Sequence, residues 1–140
     1  MIINVNLILY CLLFGGLYIL LINILWEYLA KIFKLQQGIP DEMIEKMGLG
    51  WFVTNYIMEF LFYVAIPAIG YSFFYLILPF EGIRAGLAAG LFALIMGAVP
   101  IVMVISVRLK LPLAYLTFTL FGYYLKLTGA LAIIGYLYIM

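Results

Sequence analysis

Apolar residues fall in four long blocks, near residues 5 to 31, 51 to 78, 83 to 106 and 112 to 139, and most charged residues gather between them. A helix needs about 20 apolar residues to cross the hydrocarbon layer of a bilayer, and every block is long enough. The pattern predicts an all-α integral membrane protein: a four-transmembrane-helix bundle with short loops, one domain over residues 1 to 140. Pro67 and Pro100 lie inside the second and third blocks. Neighbouring helices can satisfy the carbonyls they free, so each marks a kink rather than an end. The breaks carry their own signals. "KLQQGIPDEMIEKMGLG" holds Gly38 and Pro40 followed by Asp41 in a capping position, which predicts a short interfacial helix over 41 to 47 within the loop 32 to 50. "LPFEG" at Pro79 and "RLKLP" ending at Pro112 predict tight turns. The first block lacks a basic leader and is too long for a signal core, so it is expected to remain as the first span.

Polar residues inside the blocks are few and helically spaced. "INILWEYLAK" places Asn23, Glu27 and Lys31 at i, i+4 and i+8, and "TNYIMEFLFY" places Asn55, Glu59 and Tyr63 in the same way. In "FGYYLKLTGALAIIG", Lys126 shares a helix side with Gly122 and Gly129, and with Tyr115 and Thr119 upstream. Ionisable groups at this depth face the bundle interior and take partners. Counting ~1.5 Å per residue from the expected span ends puts Glu59 ~12 Å and Lys126 ~21 Å from the same surface. A bent lysine stem and a kink at Pro67 have to close the offset of ~9 Å.

Two accounts of these residues follow. In one, Glu59 and Lys126 form a buried ion pair that fixes helix register, while Glu27 pairs with Lys31 one turn away. In the other, Glu59, Asn55, Asn23 and Glu27 line a polar cavity open to the cytoplasm, Tyr63 and Thr119 border it, and Lys126 is a movable countercharge. A cation or proton would then compete with Lys126 for Glu59.

The third block, "GIRAGLAAGLFALIMG", spaces Gly82, Gly86 and Gly90 by four and adds Gly97 further on. Such small-xxx-small stripes let helix backbones approach closely, so this is a packing seam, facing either another helix of the chain or a second copy.

Composition narrows the function classes. The chain is 69% hydrophobic and 9% charged, with a mean hydropathy of +1.28, so thirteen charged residues would have to solubilise the whole surface. Its expected partner is therefore the lipid bilayer. A net charge of +1 with no basic run argues against nucleic acid. Histidine is absent and Cys11 is the only cysteine, which leaves no basis for the usual zinc, haem or iron–sulfur sites; no cofactor or metal is expected. Nothing resembles a nucleophile beside a base, so a non-enzymatic protein is expected. The first and third connections carry Lys31, Lys34, Lys46, Arg108 and Lys110, whereas the other side carries Arg84 alone. The positive-inside rule then places loops 32 to 50 and 107 to 111 in the cytoplasm and both termini outside.

The segment "GIPDEMIEKMGLGWF" after an aromatic-rich first block, the glycine-rich third block, and the ending "RLKLPLAYLTFTLFGYYLKLTGALAIIGYLY" together resemble an uncharacterised prokaryotic family of small four-helix membrane proteins, a domain of unknown function. The resemblance implies the four-span fold in a prokaryotic inner or plasma membrane, and it carries no site residues over. "LTFTLFG" echoes fluoride channels, but their glycine- and arginine-bearing first-span signature is missing; small multidrug transporters would have the central glutamate in the first span, not the second. Two functions remain. One is a transport or channel-like protein, oligomeric because four short helices enclose little space. The other is an accessory or assembly subunit docked on other membrane subunits, with the Glu59/Lys126 pair structural.

Overall fold

The computed structural model describes residues 4–35, 37, 39–44, 46 and 48–139. Among them there are four helices long and apolar enough to cross a membrane and no strand: α1 (Val5–Ile32), α2 (Leu49–Phe74), α3 (Gly82–Arg108) and α4 (Leu113–Leu137). Local chemistry sets the ends. Asn4 caps α1 by accepting a hydrogen bond from the Leu7 N–H at 3.3 Å, and Pro112 immediately precedes α4, where its missing N–H costs nothing. Gly82 opens α3 at φ +64°, a conformation that a side chain would strain. Between α1 and α2 a single 3₁₀ turn, Asp41–Met43, stands where a helix over 41 to 47 was expected. Asp41 lies inside that turn rather than at its cap, Pro40 offers no side-chain acceptor, and Ile44 returns to extended backbone. Residues 45 and 47 of that segment, and Gly38 before it, lie outside the described residues.

Both internal prolines are absorbed by widened turns. A π-helical turn covers Leu61–Ala65 ahead of Pro67, and a second covers Leu94–Ala98 ahead of Pro100. Proline lacks the N–H that would bond four residues back and its ring crowds that carbonyl, so a wider turn upstream relieves the clash. A π turn takes in one extra residue, and everything beyond it lags by about 100° against a regular helix. On a regular helix Tyr71 would lie about 120° from Glu59; the lag brings it to within about 20°. One face of α2 therefore carries Glu59 before the turn and the buried Tyr71 beyond it.

The same lag corrects the glycine seam. On a regular helix Gly97 would fall in the middle of the stripe set by Gly82, Gly86 and Gly90. It sits instead within the wide turn, where a Cβ would meet nothing within 4 Å, while Val102 beyond the turn is buried. The other three glycines are buried against α4 of the same chain. A Cβ on Gly86 would lie 2.1 Å from the Leu131 carbonyl oxygen, one on Gly90 2.7 Å from the Thr128 Cα, and one on Gly135 of α4 2.3 Å from the Gly82 carbonyl oxygen. Backbone meets backbone along this line, as small-residue helix contacts require.

Helix α4 is the axis of the bundle: 44% of its most apolar stretch is buried, against 28%, 22% and 17% for α1, α2 and α3. α1 and α2 pack on each other and on α4, whereas α3 makes close backbone approach to α4 alone. Cys11, Ala68, Tyr71, Ala85, Leu127, Leu131 and Ile134 form the main core, and Ile19, Val64 and Ala130 a second one. The outer surface is apolar, with residues such as Leu21, Leu76, Ile77, Phe92, Met96 and Val107 exposed, the kind of surface hydrocarbon solvates and water does not. An open apolar groove of about 890 Å³ runs between α1 and α3, bordered by Leu7, Tyr10, Phe14 and Ile83, with Ile133 and Tyr136 of α4 as its floor.

Candidate functional site

The polar residues of three helices meet because of how helical side chains lean. Cβ atoms tilt toward a helix's N-terminus. α2 and α4 both start at the Leu49/Leu113 end of the bundle, so Glu59 and Lys126 lean toward that end, whereas α1 runs the other way and Glu27 leans inward from it. From the observed helix ends, the rise puts Glu27 ~8 Å, Glu59 ~15 Å and Lys126 ~20 Å deep, and the lysine stem reaches back ~6 Å. The three side chains converge on one level.

There Lys126 Nζ donates to Glu59 Oε1 at 2.7 Å, with the lysine side chain 9% and the glutamate side chain 14% exposed. This is a charge-assisted bond in a water-poor setting, and it is the only ion pair among the described residues. Glu27 lies one turn beyond the buried Asn23 on α1, beside Trp26, whose ring covers Gly122 one turn from Lys126 on α4. The expected Glu27–Lys31 pair does not form within 4 Å: Lys31 is exposed near the helix end, while Glu27 turns inward. Two carboxylate oxygens, Glu27 Oε2 and Glu59 Oε2, are buried with no hydrogen-bond partner. The site thus groups one ammonium with two carboxyls, each with an oxygen unused.

Asn23 is buried one turn from Glu27 on α1, and Asn55 is half-buried one turn from Glu59 on α2. Tyr63, a turn beyond Glu59, sets its ring against Tyr123 of α4 with centroids 6.1 Å apart. Thr119 does not join the cluster, because its hydroxyl donates to the Tyr115 carbonyl of its own helix at 2.9 Å. Thr128 is spent in the same way on the Tyr124 carbonyl.

Other side chains hold the three helices in register. Tyr18 of α1 donates to the Leu125 carbonyl at 2.7 Å, passing over Gly129, where a Cβ would sit 2.0 Å from its hydroxyl. Tyr56 of α2 donates to the Gly16 carbonyl of α1 at 3.0 Å. Trp26, next to Glu27, stacks on Phe118 at 4.4 Å and lies over Gly122, which closes the α1–α4 side of the cluster with apolar rings. Gly122 and Gly129 fall on the expected inward side of Lys126. The roles of Tyr18, Tyr56 and Tyr123 have no mark in the chain itself, since each is defined by a glycine, carbonyl or ring on another helix.

Comparison with known proteins finds no matching family model, no similar curated protein and no similar solved structure. The site therefore has to be interpreted from its own chemistry.

Proposed function

We propose that the chain is a non-enzymatic integral protein of a prokaryotic inner or plasma membrane, and that it is a transport or channel-like protein working through Glu59, Lys126 and Glu27. In this reading both termini are outside, loops 32–50 and 107–111 are cytoplasmic, and the three side chains stand within reach of the cytoplasmic surface. The observation that carries it is the pairing of a buried Lys126–Glu59 bond with two unpartnered buried carboxylate oxygens. A purely structural pair has no use for a second carboxyl beside it, whereas an exchange site needs a countercharge and a vacant acceptor. Four short helices enclose little space, so the working unit is a homo-oligomer. The test is reconstitution into vesicles with Glu59→Gln. Loss of cation or proton flux with the oligomer intact supports transport, and unchanged flux rejects it.

A second reading is an accessory or assembly subunit, favoured by α3. Among the described residues that helix makes close backbone approach to α4 alone, and it leaves Leu87, Leu91, Phe92, Ile95 and Met96 uncovered for another membrane subunit. Gentle detergent extraction separates the two. A homo-oligomer favours transport; co-purification with larger membrane subunits favours the accessory role.

A further inference from the structure

The cluster is unbalanced in charge. With every group ionised, Lys126 contributes one positive charge and Glu27 and Glu59 two negative ones, leaving a net negative charge among apolar helices, which is strongly unfavourable. Among the described residues the further cation on that side is Lys31, one turn from Glu27 but exposed near the end of α1 and in no ion pair within 4 Å, so solvent screens it. On α1 the facing polar groups are Asn23 and, at the exposed end, Lys31; on α2 they are Asn55 and Tyr63; on α4, Tyr123. α3 packs against the other side of α4, and its arginines, Arg84 and Arg108, are exposed near its ends. A bare metal cation needs a shell of several oxygens, and no group of three Asp, Glu, Cys or His side chains occurs among the described residues. A proton needs a single lone pair, and Glu27 Oε2 is buried without a partner.

Resting on the transport reading, we propose that the cluster binds one proton, carried by Glu27 while Lys126 is paired with Glu59, and that Lys126 can change carboxylates. When the ammonium turns to Glu27, the O–H bond on Glu27 breaks and one forms on Glu59 Oε2. Lys126 keeps its three protons throughout, and the cluster stays neutral in both arrangements. The substrate class of the site is then the proton, with the lysine as an internal competitor that passes it from one helix to the next.

Infrared difference spectroscopy on the full chain in phosphatidylcholine vesicles, at neutral pH in sodium-free choline buffer, tests this by counting carbonyl stretches from buried protonated carboxyls. Solvated loop carboxylates are ionised at neutral pH and do not contribute. The expected pattern is one band in the wild type, none in Glu27→Gln, none in Glu59→Gln because Lys126 then pairs with and ionises Glu27, and two in Lys126→Met. Glu27→Gln is nearly isosteric at a group with no partner to lose, so it decides the matter even if the other variants fold poorly. A wild type without the band, or a band that survives in Glu27→Gln, overturns the proposal. So does a band that sodium or potassium removes, which would make the substrate a metal cation. Flux measured in the same vesicles separates the two levels: the band pattern without flux leaves proton binding standing and rejects transport, and flux without the pattern does the reverse.

Discussion

Lys126 on α4 donates its ammonium to Glu59 on α2 at 2.7 Å, joining two parallel helices whose polar residues start from different depths. Removing one partner leaves the other charge buried without its counterion, which costs about 3 to 5 kcal/mol in buried pairs. Glu59→Gln leaves Lys126 with Glu27 as its other carboxyl, so a loss of stability in detergent below that full amount is expected, and Lys126→Met combined with it is expected to restore most of the loss. Thermal unfolding of both single variants and the double variant measures the coupling. Additive losses would show that the two residues act independently.

The approach of α3 to α4 predicts a sharp contrast between glycines of one helix. A methyl on Gly86 would press on the Leu131 backbone, which cannot rotate away, whereas one on Gly97 meets nothing within 4 Å. Overpacking of this kind costs about 1 to 3 kcal/mol, so Gly86→Ala should destabilise clearly. Gly97→Ala should be neutral or slightly stabilising, since alanine has the better helix propensity. Unfolding in detergent of the two variants side by side gives the comparison.

The Tyr18 hydroxyl and Gly129 form one device between α1 and α4. Tyr18→Phe removes the bond to the Leu125 carbonyl, and interhelical bonds in membrane proteins average about 0.6 kcal/mol. Gly129→Ala has to push the tyrosine ring aside, losing the same bond and some packing with it. In a Tyr18→Ala background the ring is gone, so Gly129→Ala should cost little. A double-mutant cycle by unfolding should show this as strong non-additivity.

The four helices were legible because apolar length is a property of the sequence alone. The meeting of Glu59 and Lys126 was nearly so. Their expected offset of ~9 Å came from starting the second helix at residue 51 and the fourth at 112; with starts at Leu49 and Leu113 it falls to ~5 Å, within a lysine stem. The account that pairs Glu27 with Lys31 rests on the i, i+4 rule, which considers one helix at a time, while the inward turn of Glu27 depends on two other helices. Gly97 failed for a different reason. A helical wheel assumes constant rotation per residue, and the widened turn at Leu94–Ala98 breaks that assumption within the stripe. Pro100 is the signal in the sequence, and it marks a change of phase where a kink alone is expected.

That phase change makes a prediction about α2. If the turn at Leu61–Ala65 acts as one extra residue, deleting the exposed Phe62 together with Pro67→Ala should yield a regular helix that still presents Glu59 and Tyr71 to α4. Inserting an alanine after Phe62 would instead demand a second widened turn, or rotate Tyr71 by about 100° away from the core. The deletion variant should keep most of its stability and its Glu59–Lys126 coupling in the double-mutant test, and the insertion variant should lose both. Equal damage from the two changes would mean that the turn sets the path of the helix axis rather than its phase, and the alignment of Glu59 with Tyr71 would need another cause.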